Sequence, residues 1–97
     1  MAKKIIWSAK AQDDRKRIFT YWNKRNKSTR YSIKLNKLFE DAVIILADYP
    51  KIGKRTNKQN VRIKIARDYL IYFKELDEEI YILTIFSSHR NPANLKF

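Results

Sequence analysis

The stretch Val61-Arg62-Ile63-Lys64-Ile65-Ala66-Arg67-Asp68-Tyr69-Leu70-Ile71-Tyr72-Phe73 decides how this chain folds. Val61, Ile63 and Ile65 alternate with Arg62 and Lys64, the period-two pattern of a strand with one apolar and one basic face. Asp68 closes a charged turn, and Tyr69 to Phe73 supply a second strand. Downstream, Glu75-Leu76-Asp77-Glu78-Glu79 reads as a hairpin turn. Ile80 to Phe86 is apolar nearly throughout, as expected of a strand that lies centrally in its sheet with both faces covered. Three strands joined by short polar turns predict an antiparallel meander.

Upstream of Val61 the period changes. Tyr31, Leu35, Leu38, Ala42, Ile45 and Tyr49 recur at steps of three and four, one stripe of a long helix that Phe39 and Leu46 widen. Pro50 stops it, because the residue before a proline disfavours helical geometry, and Gly53, the single glycine, is expected to turn the loop that follows. A first helix is predicted from Ala9 to about Asn26, with Ala11, Ile18, Phe19 and Trp22 at helical spacing. Ser8 is its expected N-cap, with Asp13 and Asp14 near the positive end of the helix dipole. Asn26-Lys27-Ser28 breaks the two helices apart, and Ser28 or Thr29 can cap the second. Ile5-Ile6-Trp7 reads as a short opening strand. Trp7 and Trp22 are expected in the core.

The order strand, helix, helix, strand, strand, strand predicts an α+β domain, with a two-helix hairpin on one face of a mostly antiparallel sheet. Arg62 and Lys64 are expected on the opposite face. The 97 residues leave room for one domain, 1–97. With no cysteine, neither disulfides nor a thiolate zinc site can hold it together, which fits a reducing cytoplasm. One histidine makes a zinc site built by the protein improbable, and one glycine rules out a glycine-rich phosphate loop, so no metal or cofactor is expected. The apolar stretches are too short to span a membrane, and the N-terminal run is too short for a signal peptide.

The formal net charge is +12, an excess that suits a polyanionic partner. From Tyr49 to Arg67 there are seven basic residues, Lys51, Lys54, Arg55, Lys58, Arg62, Lys64 and Arg67, and no acid. A second acid-free block, Lys24 to Lys37, reads as a solvated face.

Taken in order, these residues resemble the RelE/ParE family of type II toxins. The resemblance runs from Ile6-Trp7-Ser8, Ala11, Asp14, Ile18 and Tyr21-Trp22 on the first helix to Tyr49-Pro50 with Gly53. It continues through Val61-Arg62, Asp68-Tyr69 and Ile71-Tyr72 to His89-Arg90-Asn91-Pro92. It implies one of two activities, ribosome-dependent cleavage of messenger RNA or poisoning of DNA gyrase. It also implies an acidic antitoxin that wraps the toxin in a hetero-oligomer. Cleavage needs a group on the phosphate and an acid and base. Arg62 is expected on the phosphate, since its guanidinium fork matches phosphate oxygens and the resemblance implies an arginine there. The resemblance also implies a role for Arg90, and His89 is a candidate acid or base near neutral pH. Lys51, Lys54, Arg55, Lys64 and Tyr69 are the candidate substrate contacts. Two departures weigh against cleavage: no glutamate lies near the end of the second helix, and the tail lacks a stacking tyrosine. The reading favours messenger RNA cleavage, with a gyrase poison and a basic nucleic-acid-binding module as the alternatives.

Overall fold

The computed structural model describes residues 2–90. The elements follow the expected order: β1 (Lys4–Trp7), α1 (Ala9–Asn26), α2 (Arg30–Asp48), β2 (Lys54–Arg55), β3 (Val61–Ala66), β4 (Tyr69–Glu75) and β5 (Glu79–Ser87). Two features add to the expectation. Pro50 opens a single 3-10 turn, Pro50–Ile52, and the two-residue strand β2 follows it. Among the described residues no helix is long and apolar enough to cross a membrane.

The five strands lie in the order β1-β5-β4-β3-β2. β5 therefore sits inside the sheet, as its apolar composition requires. The β2–β3, β3–β4 and β4–β5 pairs are antiparallel, whereas β1 runs parallel to β5, from Lys4 opposite Glu79 to Trp7 opposite Ile82. The helices cover one face. Ala11 from α1 and Leu35, Phe39 and Leu46 from α2 meet Ile71 and Phe73 of β4 and Ile80 and Ile82 of β5, all essentially inaccessible to water.

Ser8 is the N-cap of α1: its Oγ accepts from the Ala11 N–H at 3.0 Å and donates to the Leu83 carbonyl at 2.9 Å. This contact is possible because β5 bulges. Tyr72 pairs with Thr84 and Phe73 with Ile82, leaving Leu83 as the extra residue. The main-chain groups freed at the bulge turn to α1 instead of β4. The Ile85 N–H donates to Asp14 Oδ2 at 3.2 Å, while the Ile82 carbonyl accepts from Ser8 N and so continues the pairing of β5 with β1. The Thr84 hydroxyl also donates to Asp14. Asp13 and Asp14 lie beyond the first turn of α1, which carries no acid, so the dipole does not explain Asp14; its buried carboxylate instead pins the helix to the bulge. At the start of α2, Thr29 takes the cap position without a side-chain bond, and the Ser28 hydroxyl accepts from the Arg30 N–H at 3.2 Å.

Three expectations need correction. The buried seam of α2 runs through Leu35, Phe39, Ala42, Val43 and Leu46, while Ile45 is 44% and Tyr49 65% exposed. Residues 42–47 are all apolar, so the helix is hydrophobic around its whole circumference there and periodicity cannot choose the side.

Second, Gly53 does not turn the chain. Its backbone is extended, φ −65° and ψ 144°, and it is a glycine because a Cβ would sit 2.4 Å from Cζ of Phe73.

Third, the faces of β3 are reversed. Arg62 pairs with Phe73 and Lys64 with Ile71, so the basic residues share the helix-covered side of the sheet. Val61, Ile63 and Ile65 point the other way; Val61 and Ile63 join Leu70, Tyr72, Leu83 and Phe86 in a second apolar cluster, while Ile65 is 58% exposed.

Candidate functional site

At the Arg62 end, the segment that follows α2 lies against the helix side of β3 and β4. The roof there is the segment Pro50–Arg55. Gly53 lies on the Phe73 ring and brings its carbonyl to Arg62, whose Nη1 donates to it at 2.9 Å and reaches the Lys51 carbonyl at 3.5 Å. The result is a cleft of 340 Å³ lined by Lys51, Arg55, Lys58, Arg62, Asn60 and Glu75, among others.

Glu75 is the residue the sequence reading missed. Its carboxylate binds Lys51 Nζ at 2.9 Å through one oxygen and Lys3 Nζ at 3.3 Å through the other. The bond to Lys51 above all, and that to Lys3, hold its proton affinity below the ordinary carboxylate range, against the opposing effect of burial. It is therefore a charged structural partner, and a weak base. A signal for it does exist in the chain. Counting outward from the two-residue turn Arg67-Asp68 carries the pairing past Val61 and Lys74, which places Glu75 beside Arg62.

The remaining candidate residues fall elsewhere. Lys54 pairs with Ile63 and so belongs to the opposite face of the sheet from Arg62; Arg55, which pairs with Arg62, shares its face. Lys64 is on the Arg62 side but does not line the cleft. Tyr69 is 8% exposed, and its hydroxyl accepts from Trp22 Nε1 at 2.8 Å; burial raises its pKa. This makes it a core residue and no stacking surface.

His89 and Arg90 stand at the far end of the sheet. Arg62 is opposite Phe73, whereas Ser87, just before them, is opposite Tyr69, four residues away along β4 or about 13 Å at the usual strand rise. His89 Nε2 is 3.7 Å from Asp68 Oδ1, and the Arg90 guanidinium lies over the Phe86 ring at 4.9 Å. Both line a second groove of 650 Å³, against α1, that Arg62 does not reach. Asn91 and Pro92, the rest of the tail motif, lie outside the described residues. Among the described residues no three histidine, cysteine, aspartate or glutamate side chains come together as a metal site.

Residues 5–92 match the family described as ParE toxin of type II toxin–antitoxin system, parDE. The search of curated proteins returned no match. Among solved structures, the chain is similar to one from the chromosomal ParDE toxin–antitoxin system of P. aeruginosa. That pair has a TM-score of 0.77 at 19% identity over 89% of this chain and 96% of that one. It is also similar to a chain of the toxin–antitoxin complex RelBE2 from Mycobacterium tuberculosis, with a TM-score of 0.62 at 14% identity over 90% and 99%. At these identities the structures speak for the fold, while the family rests on the sequence match across nearly the whole chain. The chain belongs to the ParE toxins of type II toxin–antitoxin systems.

Proposed function

We propose that this toxin acts by binding, as a poison of DNA gyrase, and that an acidic antitoxin neutralises it. One observation carries the proposal: the groups that RNA cleavage would need are divided between two sites. Arg62 has its guanidinium turned onto the carbonyls of Gly53 and Lys51, while His89 and Arg90 stand in a separate groove at the other end of β4. Chemistry on a phosphodiester needs these groups within hydrogen-bond reach of one phosphate. A binding surface has no such requirement.

The antitoxin follows from charge and from exposed apolar surface. The net charge of +12 attracts an acidic chain, and Ile44, Ile45, Tyr49 and Ile52 leave apolar area at the end of α2 for it to cover. The neighbouring structures, described as ParDE and RelBE2 toxin–antitoxin assemblies, are consistent with such a partner.

Messenger RNA cleavage remains the second reading, favoured by the cleft that gathers Arg62, Arg55, Lys51 and Lys58 on one face. Pulse labelling after induction in bacteria separates the two. The proposal expects DNA synthesis to fall first and purified protein to trap gyrase on cleaved plasmid. Immediate loss of translation, with transcripts cut on ribosomes and both effects abolished by Arg62→Ala, would instead establish the ribonuclease.

A further inference from the structure

The groove that holds His89 and Arg90 has the composition of a ligand site in its own right. Its wall from α1 is formed by Arg17, Ile18, Tyr21, Trp22 and Arg25, residues on one face of the helix. Its other wall comes from Asp68 in the β3–β4 turn, from Tyr69 at the start of β4 and from the end of β5.

Three properties set it apart. It is cationic: Arg17 and Arg25 face it from α1, and Arg90 also lines it, with its guanidinium over Phe86. Of the two acids present, Asp14 is committed to Lys10 and the β5 bulge, and Asp68 faces His89. It is aromatic: Tyr21 is 53% exposed and packs edge-on against Trp22, with ring centroids 5.1 Å apart. Finally, cation and ring are already joined. The Arg25 guanidinium lies 5.7 Å over Trp22, and its Nη1 donates to the Tyr21 hydroxyl at 3.3 Å.

We propose that this groove binds a single-stranded nucleic-acid segment, one base stacking on Tyr21 while Arg17 and Arg25 hold the flanking phosphates. Planar guanidinium forks match phosphate oxygens, and an exposed ring beside them accepts any base by its π-face. A paired base inside a duplex cannot reach a ring set in a groove, so the segment is unpaired. An acidic peptide would satisfy the arginines but would leave the tyrosine without a flat partner. The site is independent of whether gyrase is the toxin's target.

The test is fluorescence anisotropy of a labelled oligothymidylate 8-mer with the purified full-length protein at low and moderate salt. The comparison strands are an abasic 8-mer and the 8-mer's duplex, with polyglutamate as competitor. Tyr21→Ala should weaken binding of the 8-mer about tenfold, the scale of one stacked base, and hardly alter binding of the abasic strand. Tyr21→Phe, which keeps the ring, should bind as the parent does. Arg17→Ala should weaken both strands and reduce the salt dependence, whereas Arg55→Ala in the other cleft should do neither. Thermal melts establish that each variant is folded. The proposal is overturned if the abasic strand or the duplex binds as well as the 8-mer, if Tyr21→Ala changes nothing, if Arg55→Ala weakens binding as much as Arg17→Ala, or if polyglutamate competes with equal affinity.

Discussion

Gly53→Ala tests the packing argument most directly. At φ −65° and ψ 144° an alanine suffers no backbone strain, and it loses less entropy on folding than glycine does, so by itself the change should stabilise by about 0.4–1 kcal/mol. The structure sets a larger opposing effect. The new methyl would meet Cζ of Phe73 at 2.4 Å, Cε1 at 2.6 Å and Cβ of Arg62 at 3.1 Å, where ordinary contacts begin at 3.4 Å. Phe73 is 0% exposed and cannot swing aside, so either the ring moves about 1 Å into a filled core or the Pro50–Arg55 segment lifts away. Overpacking of this kind costs about 1–3 kcal/mol, and the severity of the overlap argues for the upper half, about 2–3 kcal/mol net. For a domain of this size that is a fall in Tm of roughly 10–20 °C. Urea and thermal unfolding followed by circular dichroism measure it. Phe73→Leu, which removes the ring edge, should be destabilising alone but should relieve Gly53→Ala, with a coupling of at least about 1 kcal/mol in the double-mutant cycle. If Gly53→Ala lies within about 0.5 kcal/mol of the parent, or if the two changes simply add, the close approach is not what selects glycine.

Two further outcomes follow from the carboxylates of Asp14 and Glu75. Asp14→Ala leaves the Thr84 hydroxyl and the Ile85 N–H without their acceptor, so unfolding should show a loss of about 2–4 kcal/mol; a loss below 1 kcal/mol would show that water replaces the carboxylate. Glu75 has its pKa lowered, chiefly by Lys51, so its ion pairs contribute fully above the ordinary value of 4.5 and are lost as the pH falls through the lowered value. Stability measured from pH 7 down to pH 3 should therefore fall more steeply in the parent than in Glu75→Gln, and equal slopes would remove Glu75 from the pH response.

The fold was legible because its signals are local. Ser8 caps α1, Pro50 ends α2, and alternation marks β3. The face to which β3 turns was not legible from that strand alone. Its period-two pattern identifies an apolar side, and apolar sides usually meet helices, but here Phe73 and Ile71 take the helices and the register carries Arg62 and Lys64 with them. A second apolar cluster on a face that no helix among the described residues covers defeats the usual inference. The candidate site was legible in part: Lys51, Arg55 and Arg62 do meet, whereas Glu75 joins them only through hairpin pairing. The scatter of His89 and Arg90 away from Arg62 could not be read without the sheet order.

The parallel pairing of β1 with β5 also governs the order in which the molecule can come into being. Ser8 and Leu83 are bonded across 75 residues, and β5 lies inside the sheet between β1 and β4. A nascent chain emerging N-terminus first has both helices and β1 long before it has the strand they pack on, and closing so wide a loop is slow. Until β5 has been synthesised, Asp14 has no bulge to bind and the helices have only part of their sheet. The packing that fixes the end of α2, and with it the surface an antitoxin would cover, is thus complete only once β5 has been made.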